Sequence, residues 1–392
     1  MINQQVHAVL PRANHDEQAR QEFTFAFKSH ISSDITPGNR NVAENEVLPA
    51  FRRTNGRAPK TRHELRSAME RNGYHQMWGS LTRLAQEVMW DSVEESVSRQ
   101  LPALDARSRT VKGVGGTLTL DPTLSPPRYM SAVDIHAMPG GYTAEVTGND
   151  MRTGALFDRG TFINVCGTQG PLHDARGRTV VSYLRTNYAS FAPKRILDLG
   201  CSIGQGTLPY PKYFPKAEVF AIDVAAPLLR YAHARAESVG RRIHFSQQNA
   251  ENTNFASGSF DLIVSHLLFH ETSSKAVPNI LRECLRLLRP GGMMLHLELG
   301  LPYRDMDLYE QVIHDWQTYN NAEPFWAQIN SIDTAAMAKA IGFSSTASGY
   351  MRRADDPARD RTSLGLKPKG ADCHPQGNRG RDEYFFVIQG IK

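Results

Sequence analysis

Apolar residues are spread unevenly along this chain, and the most regular pattern lies in its second half. Residues 195–199 (RILDL) form a short apolar run ending at a glycine, and residues 218–222 (EVFAI) form a second that stops at Asp223. A helical spacing follows from 227 to 239, then strand patterns at 244–246 and at 260–264 (FDLIV). Val277, Ile280, Leu281, Cys284, Leu285 and Leu288 recur mostly at three- and four-residue steps, which predicts a helix over 277–288. After Arg289-Pro290-Gly291-Gly292 the run MMLHLEL makes a fifth strand. Strands alternating with helices of this length predict an α/β fold, a Rossmann-like doubly wound sheet that is largely parallel.

The first half reads differently. Residues 1–60 are polar and carry Pro37-Gly38, Asn55-Gly56 and Pro59 as breakers, with one short segment, 23–27, able to pack against another unit. From about 61 to 101 the spacing turns helical, with Leu81, Leu84, Val88, Val93, Val97 and Leu101 on one stripe. Trp78, Met89 and Trp90 lie beside it, where helix packing is the simplest role. Glycines and prolines between 113 and 141 mark turns or short strands, and a helical pattern resumes around 179–191. Three parts result: a mainly helical N-terminal extension over 1–125, a connecting region over 126–190, and the α/β domain over 191–392. The last part adds a helix at 334–341, a β-prone run at 384–388 and a polar insertion at 352–383 with eight basic and six acidic residues.

Composition changes this picture little. Forty-five basic and 40 acidic residues leave a formal charge of +5, a mild excess that calls for no nucleic-acid partner. The four cysteines (Cys166, Cys201, Cys284, Cys373) form no CxxC pair, which argues against a disulfide scaffold or a zinc knuckle. No stretch approaches the roughly 18 apolar residues that span a bilayer, and no apolar leader segment begins the chain, so a cytoplasmic location is expected.

The chemistry starts at Asp198-Leu199-Gly200-Cys201-Ser202-Ile203-Gly204-Gln205-Gly206. A buried strand ending in a glycine-bearing turn lets backbone approach a ligand where a side chain would block it. Asp223, 25 residues after Asp198, stands at the next strand tip, where a carboxylate can accept both hydroxyls of a ribose. Dinucleotide sites use both devices, so these two alone leave the nucleotide open. The remaining motifs discriminate: Asn249-Ala250-Glu251, Phe255, Gly258-Ser259-Phe260-Asp261, and Leu288-Arg289-Pro290-Gly291-Gly292. In this order and spacing, residues 195–300 resemble class I S-adenosylmethionine-dependent methyltransferases, especially those of ubiquinone and menaquinone biosynthesis (the type 11/25-like group).

The resemblance implies S-adenosyl-L-methionine as cofactor and S-adenosyl-L-homocysteine as product. It puts Asp198 at the methionine ammonium, Gly200 and Gly204 along the methionine and ribose, and Asp223 with Val224 at the ribose. Asn249, Ala250 and Glu251 fall on the adenine side, Ser265 and His266 where the fourth strand opens to the methyl group, and Tyr142 where it could cover the cofactor. Two positions depart from the family pattern. Ser202 replaces the middle glycine, and Asn249 replaces an acid, though its amide oxygen can still accept from an adenine amine.

An activated methyl group needs a base only if its acceptor must lose a proton, and His270 and His266 are the candidates. For His270 a purely structural role stays open, as does a cofactor-side role for His266. Position 274 is serine, so HExxH is incomplete and no metal site is expected. His296 and Glu298 share one face of the fifth strand, facing either the substrate or each other. The aromatic-rich segment 301–330 and the N-terminal extension suit a lid over a flat or apolar small molecule, or equally a packed cap or dimer interface. The expected function is methyl transfer to an oxygen or carbon of a small organic metabolite. Nucleic-acid or protein methylation and non-catalytic cofactor binding are the alternatives, and a homodimer is admissible.

Overall fold

The computed structural model describes residues 3–299, 302–354 and 384–392. Eight strands form one sheet: β1 (Thr117–Thr119), β2 (Arg195–Leu199), β3 (Glu218–Asp223), β4 (His244–Gln247), β5 (Phe260–His266), β6 (Leu288–Glu298), β7 (Ser345–Arg352) and β8 (Tyr384–Ile391). Their spatial order is β1-β4-β3-β2-β5-β6-β8-β7. All neighbours run parallel except β8, which is antiparallel to both β6 and β7. The α/β doubly wound sheet read from the sequence is therefore present. It gains an edge strand at each side: β1 comes from the segment before residue 125, and β7 is too rich in small and polar residues to stand out by pattern.

Alternate residues of the strands feed two apolar layers. Ile196, Val219, Ala221, Leu262 and Val264 pack on one face, with the helices α4 (Ala175–Asn187) and α5 (Ala226–Ser238). Leu197, Leu199, Ile222, Ile263 and Met294 pack on the other, with α6 (Ala276–Leu287) and α8 (Thr334–Ile341). Central parallel strands covered on both faces explain the near-continuous apolar runs that made them legible. The reversal point in strand order, between β3–β2 and β5, sets a crevice at the carboxyl ends of the strands, where ligands bind in such sheets.

The breaker-rich stretch before residue 60 is helical from His15 to Asn55. An Asn14–Glu17 capping box starts α1 (His15–His30). The helical path continues to Asn55 through π-turns at Ile31–Ile35 and Ala43–Val47. Pro37 and Pro49 follow those turns directly, at the first positions of the next helical segments. Proline removes one backbone donor, and a π-turn is a place where the helical ladder is already interrupted. The stripe expected over 61–101 is divided between Arg62–Met69 and α2 (Gly73–Thr110). Helices α1 and α2, together with α3 (Arg152–Asn164) and α7 (Leu308–Asn320), supply residues that line the crevice. The polar insertion expected at 352–383 lies, from 355 on, outside the described residues.

Candidate functional site

The turn after β2 is shaped by close approach. A side-chain carbon at Gly200 would stand 2.6 Å from Leu268, and one at Gly206 would stand 2.6 Å from the His266 ring. Ser202, in the place of a glycine, adopts a left-handed backbone (φ 50°) despite its side chain. That geometry aims its backbone N–H at Asp223 Oδ2 (2.8 Å), while Ala225 N–H reaches Asp223 Oδ1 (2.9 Å). Burial pushes the Asp223 carboxyl above its ordinary range, and the backbone N–H groups only partly offset this. Ser202 Oγ and Gln205 Oε1 are buried without hydrogen-bond partners, and both residues line the crevice. Unpaired buried polar atoms beside an acid at a strand tip suit a polar nucleoside ligand, so the residues fit the cofactor that the motifs imply.

Asp198 lies deeper. It is 1% exposed, accepts from Thr207 Oγ1 at 2.6 Å and lies 3.3 Å from His266 Nδ1. The other ring nitrogen of His266 meets the Tyr210 hydroxyl at 3.0 Å, so both nitrogens are engaged. Asn249 Oδ1 accepts from the backbone of Glu251 (2.9 Å), and the Glu251 carboxylate takes Tyr129 OH (2.8 Å) and Asn279 Nδ2 (2.9 Å). Ala250 packs into the core, the Val224 carbonyl accepts from Gln247, and Ser265 is fully buried against His296 (2.8 Å).

One cavity of about 700 Å³ unites Gly200, Ser202, Asp223, Tyr142, His266 and His270. Asp198, Gly204, Val224, Asn249, Ala250, Glu251 and Ser265 stand behind or beside its wall rather than on it.

The far end of the cavity holds histidines and carboxylates from four segments. His270 Nδ1 donates to Glu298 Oε2 at 2.7 Å. The other Glu298 oxygen accepts from the backbone N–H groups of Leu268 and Phe269 (3.0 and 2.7 Å). His270 Nε2 stands 3.6 Å from Glu271, beyond a hydrogen bond. His136 is wedged between two acids, with Nε2 3.1 Å from Glu271 and Nδ1 2.6 Å from Glu323. Tyr142 OH adds a donor to Glu271 at 3.0 Å, and Glu323 Oε2 is buried without a partner.

Burial opposes charge on His270, but Glu298 and then Glu271 outweigh it and carry the imidazole up to about 9. His136 is likewise driven well above its ordinary value: burial opposes this, and Glu323 and Glu271 prevail. Burial alone would raise Glu271, yet the His136 and His270 imidazoliums hold it low. Ligand atoms of His136, Glu271 and Glu323 lie within 4.8 Å of one another. They could hold a divalent cation only if His136 released one of its carboxylates.

Sequence reasoning gave no role to His136, Glu271 or Glu323, and it quoted Gln205 only as part of the glycine-bearing turn. His136 sits in the turn-rich 113–141 region with a left-handed backbone (φ 58°, ψ 17°). Its carbonyl is held by Gln86 Nε2 (3.0 Å) and Trp90 Nε1 (2.9 Å) from α2. Nothing in the local pattern announces that contact. Glu298 carried a signal, since it shares a strand face with His296, but its partner proved to be His270.

Residues 196–292 match a family model described as a methyltransferase domain. This part of the chain is a class I S-adenosylmethionine-dependent methyltransferase domain. It is 35% identical over 111 residues to a demethylmenaquinone methyltransferase of Thermus thermophilus, covering 28% of this chain and 50% of that protein. It is 27% identical over 136 residues to a malonyl-[acyl-carrier protein] O-methyltransferase of Legionella pneumophila, covering 35% and 45%. A tRNA N(3)-methylcytidine methyltransferase of Drosophila melanogaster is 28% identical over 123 residues, covering 30% and 38%. The chain thus spans half or less of the length of these relatives. No helix among the described residues is long and apolar enough to cross a membrane.

Proposed function

We propose that the protein transfers a methyl group from S-adenosylmethionine to an oxygen or carbon of a small organic molecule, with His270 as the base. The observation that carries this reading is one cavity running from the Ser202–Asp223 crevice to the Glu298–His270 pair. When bound, the cofactor supplies an already activated methyl group on a sulfonium, so the protein's task is alignment and exclusion of water. Asp223 holds the ribose hydroxyls, and Ser202 and Gln205 offer their unpaired polar atoms to the amino-acid part. Glu298 fixes the tautomer of His270 by taking its Nδ1–H, which leaves Nε2 for the acceptor's proton. His266, with both nitrogens engaged, stays a wall of the site rather than a base.

Residues of α1, α2 and α7 roof the cavity, which favours a small acceptor over a polymer that must reach in from outside. Calorimetry with S-adenosylhomocysteine tests the reading: the wild type should bind, and Asp223→Ala should weaken binding by about 10- to 100-fold, the worth of a charge-assisted hydrogen-bond pair. A wild-type protein that ignores S-adenosylhomocysteine would end the reading; an unchanged Kd in the variant would remove the ribose role of Asp223.

A further inference from the structure

The cavity wall also carries cationic side chains, Lys28 and Arg176. Lys28, from the last turn of α1, lines it together with His173 and Arg176. The Lys28 ammonium donates to the neutral amide oxygen Gln86 Oε1 at 2.9 Å. Among the described residues no carboxylate comes within 4.0 Å of it. An ammonium taken out of water is costly unless a counter-charge meets it. Burial accordingly pushes Lys28 down to about 8, and Cys166 opposes the shift.

His173, 1% exposed, is an independent pointer to a ligand. Its Nε2 is buried without a partner, while its Nδ1 lies 3.4 Å from Thr161 Oγ1. Burial, with Arg176 adding to it, drives this ring down to about 3, so it is neutral. Thr161 Oγ1 gives its own proton to the Phe157 carbonyl and can only accept from Nδ1, which leaves Nε2 as an open acceptor for a ligand donor such as an ammonium or hydroxyl. Of the acids that line the cavity, Asp223 meets the turn after β2 and Glu271 and Glu323 face His136, and none pairs with Lys28.

We propose that Lys28, with Arg176, forms a carboxylate-binding subsite for a small molecule held in this cavity, with His173 Nε2 beside it to accept from that molecule. It rests on the methyltransferase reading, because that reading supplies the two sources of such a carboxylate: the amino-acid tail of the cofactor and an anionic acceptor. Gln86 ties the subsite to the neighbouring histidine–carboxylate cluster, since its Oε1 takes Lys28 and its Nε2 holds the His136 carbonyl. Arg176 stands at the start of α4, whose Gly177 packs against the Gly206 carbonyl of the turn after β2, so the cationic wall adjoins the cofactor crevice.

The test is calorimetry on the full chain, wild type against Lys28→Met and Lys28→Arg, with four probes. S-adenosylhomocysteine and 5′-methylthioadenosine differ by the amino-acid tail. 4-Hydroxybenzoate and its methyl ester, offered to protein loaded with S-adenosylhomocysteine, differ by the negative charge. If the cofactor tail is the source, Lys28→Met weakens S-adenosylhomocysteine about tenfold or more and leaves 5′-methylthioadenosine unchanged. If an acceptor is the source, S-adenosylhomocysteine is unaffected. The wild type then prefers the carboxylate over its ester by about tenfold, and Lys28→Met abolishes that preference. In either case Lys28→Arg restores most of the effect, and Lys28→Met melts no lower than wild type, because it removes an uncompensated charge. A lower melting temperature with all four affinities unchanged would make Lys28 a structural lysine and overturn the proposal. Failure of the wild type to bind S-adenosylhomocysteine would instead strike the methyltransferase reading itself.

Discussion

Two buried groups in this molecule are built from the same materials and end differently. In one, Asp158 of α3 is fully buried and receives His7 Nε2 (3.0 Å), Tyr231 OH (2.8 Å), Gln4 Nε2 (2.9 Å) and the Arg235 guanidinium (3.2 Å). One carboxylate faces one guanidinium, and burial keeps His7 low, so charge closes on itself. In the other, the imidazoliums of His136 and His270 stand among Glu271, Glu298 and Glu323, one negative charge too many, with Glu323 Oε2 unpaired. The first group joins the N-terminal segment, α3 and α5 and has no residue on the 700 Å³ cavity; the second lines that cavity with His136, His270, Glu271 and Glu323. Polar atoms are left over in both, His7 Nδ1 and Arg235 Nε in the first and Glu323 Oε2 in the second, so the difference lies in the balance of charge and in access to the cavity.

The sharpest way to break this contrast is His270→Gln. If the cavity cluster is chemical, turnover should fall about 10²- to 10⁴-fold, the usual worth of a positioned base, while S-adenosylhomocysteine affinity is kept. The pH profile gives a second handle. Because Glu298 and Glu271 lift the imidazole to about 9, most of it is protonated at pH 7 and cannot accept a proton. As pH rises the neutral fraction grows about tenfold per unit below the pKa, so kcat/KM should climb from pH 7 and level above 9. The limb should vanish in His270→Gln. A flat wild-type profile would remove His270 from the role of base.

Next in size is Asp158→Ala. Removing the carboxylate leaves Arg235, 1% exposed, as a buried cation without its partner, which should cost about 3–5 kcal/mol of folding stability. Denaturant unfolding measures this, and the folded fraction should keep its affinity for S-adenosylhomocysteine. If stability held while turnover collapsed, the division between the two clusters would be reversed.

These two clusters also mark what could be read in the sequence. The sheet was legible because strands such as 195–199 and 260–264 are covered on both faces and must be apolar at nearly every position. The crevice was legible because Gly200 and Asp223 are forced by backbone approach and by a strand tip. The N-terminal helices were hidden by polar composition and by Pro37-Gly38, which lies just after a π-turn inside the helical path. The cluster was hidden because His136, His270, Glu298 and Glu323 come from four separate segments, and only the packing of α2 against 135–138 brings His136 to the others. Local pattern reports what a segment buries, whereas a cluster of this kind depends on which segments meet.

The smallest effect is the most specific to that last point. Trp90 and Gln86 both donate to the His136 carbonyl, and the left-handed backbone of His136 carries a strain that those bonds help to hold. Trp90→Phe removes one donor and keeps Gln86, together with its bond to Lys28. It should lower stability by about 1 kcal/mol for the hydrogen bond, plus a similar sum for lost ring volume. If α2 positions His136 for the site, kcat should fall about three- to tenfold, as small misplacements near a reacting group do, with S-adenosylhomocysteine Kd unchanged. If α2 is only a cover, stability alone should move. The ratio of the two effects therefore measures how far a helix outside the matched methyltransferase region takes part in the chemistry.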